Sequence, residues 1–105
     1  MNDSSTKSRT LAALLAFTDP EEVRKRAIWE KALPTGRHDP ALYRWDFEGN
    51  LICYADHGTC KEYGWEIDHA TPSALGGSDH YANLRPRHWR SNRVHGGLLA
   101  ALLKK

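Results

Sequence analysis

Asp68, His69, Asn83, His88 and Asn92 fall within 25 residues of one another and are the side chains of this sequence best suited to metal-assisted hydrolysis. Asp68 and His69 are adjacent at the end of a predicted strand, where neighbouring side chains point to opposite sides. One can therefore bind a metal while the other faces a substrate. Asn92 lies on a helix expected to fold back against that strand. One carboxylate and one amide oxygen, completed by water and a substrate phosphate, are hard ligands that suit Mg2+ or Mn2+. An imidazole beside them can take a proton from water.

The elements that must position these groups can be read from turn signals and hydrophobic period. Asp19-Pro20-Glu21-Glu22 has the form of a helix start, and Val23, Ala27, Ile28 and Ala32 give that helix one apolar side before Pro34 and Gly36 end it. From Tyr43 the period shortens: Tyr43, Trp45 and Phe47 alternate with charged residues, and Glu48-Gly49-Asn50 separates them from Leu51-Ile52-Cys53-Tyr54 as in a β-hairpin. A strand over Gly64–His69, a loop with Gly76-Gly77 and a second strand from Asn83 follow. Pro86 is expected to stop that strand and open a helix through Val94, ended by Gly96-Gly97. The fold class is α+β, with a local ββα unit. Leu98–Leu103 reads either as a final short helix or as an apolar tail. Trp45, Phe47, Ile52, Trp65, Ile67, Leu84 and Trp89 are the expected core of this unit.

The chain has 105 residues, 40% apolar and 27% charged, which fits one compact domain. The apolar runs Leu11–Phe17 and Leu98–Leu103 fall far short of the roughly 20 residues that cross a bilayer. Residues 1–83 carry nine basic and thirteen acidic side chains, whereas residues 84–105 carry six basic and no acidic ones. Arg85, Arg87, Arg90 and Arg93, interleaved with His88 and Trp89, suit a phosphate backbone. Two cysteines are too few for a secreted disulfide scaffold, and the stretch after Lys7 and Arg9 lacks a small-x-small cleavage site, so the cytoplasm is the expected compartment.

Together the segments Gly64-Trp65-Glu66-Ile67-Asp68-His69-x-x-Pro72, Gly76-Gly77-Ser78-Asp79, Asn83-Leu84-x-Pro86, His88-Trp89 and Asn92-Arg93 resemble the HNH endonuclease family in its H-N-N form. The resemblance covers about residues 43–97 and implies a ββα-metal (His-Me finger) core. It sets that core off from a tail at 1–9, a helical extension at 10–42 and an apolar, basic tail at 98–105. By resemblance His69 is the general base, acting through Nε2, Asn83 holds the loop and orients that His, and Asp68 and Asn92 bind one divalent metal. The activity implied is hydrolysis of DNA to 5′-phosphate and 3′-hydroxyl ends, with the four arginines holding the backbone and a partner protein in a larger nuclease system one of the settings.

Two residues near the metal carry alternative readings. His88, one helical turn before Asn92, either assists the metal or packs against Trp65 or Trp89. Glu66 either joins Asp68 in a two-carboxylate site or, the favoured reading, pairs with an arginine. A structural zinc is not expected, because six residues separate Cys53 from Cys60 and His88 and Ser91 stand where a second Cys pair would be. A non-catalytic nucleic-acid-binding module and a toxin-type nuclease are the alternative functions.

Overall fold

The computed structural model describes residues 19–104. The expected tail at 1–9 and the apolar segment Leu11–Phe17 lie outside the described residues. The rest is a small α+β domain: an N-terminal helix, two small antiparallel sheets and a C-terminal helix. Helix α1 (Pro20–Trp29) starts as the sequence indicates, with Asp19 capping the Glu21 N–H and Pro20 in the first turn. Strands β1 (Leu33–Pro34), β2 (Tyr43–Trp45) and β3 (Leu51–Cys53) form one sheet, and β4 (Trp65–His69) pairs with β5 (Leu84–His88) in the other. Helix α2 (Trp89–Leu103) closes the ββα unit. No helix among the described residues is long and apolar enough to cross a membrane.

The core lies between α1 and the two sheets. Ile28, Trp29, Ala32, Ile52, Trp65 and Leu84 are buried, with the Trp29 and Trp65 rings 5.3 Å apart. Each isoleucine contributes about 1.5–3 kcal/mol through the apolar area it removes from water. Half of this core comes from residues 28–32, so α1 is integral to the domain and not an appendage to it. The indole N–H groups donate to backbone carbonyls, Trp29 to Pro40 at 2.9 Å and Trp65 to Tyr54 at 3.3 Å.

Three expectations need correction. Trp45 and Phe47 are 37% and 48% exposed, and Trp89 is only half-buried on α2, donating its indole N–H to the Lys61 carbonyl. The hairpin is formed as expected, but in the opposite phase. Arg44 pairs across from Ile52, and these two face inward, with the Arg44 guanidinium bonding the Pro40, Glu30 and Ala32 carbonyls. Second, Pro86 does not end the strand: it sits opposite Ile67 inside β5, tolerated because a two-stranded sheet leaves that strand an outer edge. Third, Gly96-Gly97 does not stop α2. A helical glycine costs only about 1 kcal/mol relative to alanine, and the Leu and Ala run that follows is strongly helix-forming.

His57 gives the domain an acid-sensitive contact. Its ring packs 4.5 Å from that of Trp65, and burial, with nearby Lys25, pushes its pKa below the usual histidine value. The unfolded chain therefore binds this proton more readily than the folded one. The contribution is fully present above about pH 6.5, the unfolded value, and is lost as pH falls toward the depressed folded value. Thermal melts should show a Tm that drops from pH 7.5 to pH 5.5, with a smaller drop in His57→Gln.

Candidate active site

Strand β4 delivers Asp68 and His69 to one end of the β4–β5 sheet, and α2 lies alongside with Asn92 facing them. Asp68, His69, Asn92 and His95 line one cleft of about 170 Å3, floored by Ile67 and rimmed by Pro72. The clustering of Asp68, His69 and Asn92 agrees with the expected placement. His95 is an addition, one turn beyond Asn92 on the same helix.

Asp68 is 8% exposed and faces Arg85 across the sheet. Its carboxylate accepts from Arg85 Nε at 3.0 Å and from Arg87 Nη1 at 3.5 Å, both contacts falling on Oδ2. Oδ1 takes no hydrogen bond from another described residue. Asn92 donates from Nδ2 to Glu66 Oε1 at 3.2 Å, which leaves its own Oδ1 as an acceptor. Two oxygen donors from facing elements fit a hard divalent cation that keeps most of its water. Among the described residues no three His, Cys, Asp or Glu side chains converge to cage a metal, so water and substrate would complete the shell. Glu66 is taken up by Arg93, 3.5 Å away, and by Asn92, as the ion-pair reading holds.

His69 is fixed by a residue to which the sequence assigned no role. Its Nε2 lies 2.7 Å from Asp79 Oδ1. The hydrogen bond that His69 donates holds the Asp79 carboxyl below its usual value, so Asp79 is a carboxylate acceptor. Nε2 then carries the proton and the lone pair falls on Nδ1. In this arrangement the basic nitrogen is Nδ1, not the expected Nε2. Asp79 follows Gly76-Gly77-Ser78 in the loop between β4 and β5, and that loop is clamped by Asn83. The Asn83 amide accepts from the Thr71 N–H at 2.8 Å and donates to the Thr71 and Ser78 carbonyls at 3.0 and 2.7 Å. Asn83 thus holds the loop, and its link to His69 runs through Asp79. Gly77 is obligatory here, since a Cβ would lie 1.7 Å from the Thr71 carbonyl oxygen.

Asp79→Asn removes the charge that orients His69. If the cleft hydrolyses phosphodiesters, as proposed below, kcat should fall about 10- to 100-fold with KM nearly unchanged, because misaligning a reacting group by about 1 Å costs up to that much. Steady-state cleavage kinetics check this.

His88 lies away from the cleft. Its Nδ1 caps α2 by accepting the Arg90 N–H at 3.2 Å, its Nε2 donates to the Glu62 carbonyl at 2.7 Å, and its ring stacks beside Trp89. Both nitrogens are occupied, so it is a helix cap and not a metal auxiliary. The four arginines divide in two. Arg90 and Arg93 are exposed and flank the Trp89 ring at 5.1 and 5.4 Å. Arg85 is half-buried on Asp68. Arg87 is buried, bonded to Glu48 at 2.9 Å and Ser91 at 2.9 Å as well as Asp68, so it is a structural cation and not an open phosphate contact. Hydrogen bonds from Ser91 and Arg87 in turn keep the Glu48 carboxyl below its usual value.

No family model, curated protein or solved structure matched the chain in comparisons with each.

Proposed function

We propose that the chain is a metal-dependent phosphodiesterase of the HNH type, built on a ββα-metal core and hydrolysing DNA. The observation that carries this reading is the convergence of Asp68, His69 and Asn92 from a strand end and a helix on one cleft, with Asp68 Oδ1 and Asn92 Oδ1 left without partners among the described residues. A binding module needs none of these groups so placed. His69 Nδ1 accepts a proton from the attacking water, while Asp79 holds the Nε2–H end and favours the imidazolium that forms. When bound, a divalent cation at Asp68 and Asn92 would neutralise charge building on the phosphoryl oxygens and the leaving 3′-oxygen. Arg85, beside Asp68, adds a fixed positive charge at the same end of the sheet. The free cysteines Cys53 and Cys60 suit a reducing cytoplasm.

Arg90 and Arg93 hold the phosphate backbone in this reading. Arg90→Gln should weaken binding about equally on unrelated DNA sequences and flatten the salt dependence by about one phosphate contact. Fluorescence anisotropy between 50 and 200 mM salt reads both effects. The experiment for the activity itself is a plasmid-nicking assay across Mg2+, Mn2+, Ca2+ and Zn2+ with EDTA as control. Nicking of the plasmid, or cleavage of a circular single strand assayed beside it, in Mg2+ or Mn2+ that EDTA stops supports the proposal, and both DNAs intact in every metal defeat it.

A further inference from the structure

Phe47 is one of the large apolar side chains that the fold leaves exposed among the described residues. It stands at the tip of the β2–β3 hairpin, 48% exposed, between two residues anchored without its help. Asp46 is 1% exposed, and its carboxylate accepts four hydrogen bonds: from the Glu48 N–H at 3.0 Å, the Asn50 N–H at 2.8 Å, Asn50 Nδ2 at 3.2 Å and the His88 N–H at 2.9 Å. Glu48 is tied to Arg87 and Ser91. The turn is therefore closed by polar groups, and the ring is held out in a fixed place at no further ordering cost.

Its surroundings are cationic. The Arg85 guanidinium lies 3.7 Å from the ring centroid and that of Arg87 lies 5.2 Å away. Arg85 stands over the ring, and close to half of the residue stays open to solvent. The same guanidinium bonds Asp68 at 3.0 Å, which puts Phe47 one side chain from the cleft. On the other side of the hairpin tip, Glu48, Asn50 and Arg90 line an open groove of about 450 Å3 along α2.

We propose that Phe47, backed by Arg85, is a stacking platform for an unpaired base of single-stranded DNA, so that the strand to be cut reaches the Asp68–His69 cleft unpaired. An aromatic face accepts any base, and the flanking guanidinium adds charge, the combination by which single strands are held without sequence preference. In a regular duplex the bases are stacked on each other and offer no face to the ring. The inference rests on DNA being the substrate and specifies which form of it.

The test is anisotropy titration of labelled oligothymidylate and of a duplex of equal length, in EDTA so that no cleavage intervenes. Phe47→Ala should weaken single-strand binding about 5- to 150-fold, the range measured for one lost base–aromatic stack, and change duplex binding less than twofold. Phe47→Trp should restore single-strand binding, whereas Phe47→Leu, apolar but without a flat ring, should not. Thermal melts establish that the variants fold alike. Leucine binding as well as phenylalanine, or equal losses on both DNA forms, overturns the platform. If Phe47 variants bind normally while metal-dependent nicking persists, the platform fails and the phosphodiesterase stands. If no metal-dependent cleavage of either DNA form is found while the Phe47 effect holds, the reverse is true. A wild-type protein that binds neither DNA form overturns both.

Discussion

His69→Ala is expected to cut the rate of phosphodiester cleavage by ~10² to 10⁴ while the protein melts as the wild type does and binds DNA with unchanged affinity. The side chain sits at the rim of the cleft, 28% exposed, and its one polar partner is the exposed Asp79, so its removal leaves no buried group unpaired. Loss of rate without loss of fold separates a base from a structural histidine. Single-turnover cleavage in Mg2+ beside a circular-dichroism melt makes the comparison, and a variant that cleaves at the wild-type rate moves the base elsewhere. His95, which lines the same cleft, is then the first candidate.

Asp46→Ala carries the largest expected cost in stability. The buried carboxylate satisfies three backbone N–H groups and one amide, and it joins the hairpin to the start of α2 through the His88 N–H. Truncation leaves the buried His88 N–H without a partner and strips three part-buried donors of theirs, at about 1–3 kcal/mol for each that water cannot reach, so a net loss of roughly 3 kcal/mol is expected. Urea unfolding should show a midpoint lowered to match, with the slope unchanged. Asp46→Asn, which keeps one acceptor oxygen, should lie between the two. A midpoint within about 0.5 kcal/mol of wild type, the ordinary effect of a surface change, would mean that the turn holds itself.

What the sequence made legible is what neighbouring residues decide. The α1 start, the hairpin around Glu48-Gly49-Asn50 and the strand that ends in Asp68-His69 all depend on turn residues and short-range alternation. The clustering of Asp68, His69 and Asn92 follows from those elements once α2 packs on β4. Other features depend on contacts across the fold. Alternation at Tyr43, Trp45 and Phe47 shows that one face differs from the other but not which is inward. Arg44 takes the inner face because three carbonyls at Glu30, Ala32 and Pro40 await its guanidinium. Asp46 reads in sequence as a polar turn residue, and only the His88 N–H, 42 positions away, makes it a buried anchor. Likewise the basic run from Arg85 to Arg93 reads as one surface, yet β-register turns Arg85 and Arg87 onto Asp68 while the helix turns Arg90 and Arg93 outward. Asp79 carried a signal in its place after Gly76-Gly77, but its partner became visible only with the loop folded.

The reaction itself is tested most directly by the chemistry of the cut ends. Wild-type protein should be incubated with a labelled oligonucleotide and Mg2+ in water enriched in oxygen-18, and the products weighed by mass spectrometry. Attack by water activated at His69 predicts a 5′-phosphate carrying one solvent oxygen, a 3′-hydroxyl on the other fragment, and neither product in His69→Ala or in EDTA. A 3′-phosphate, or a 5′-phosphate without the heavy oxygen, would contradict the account.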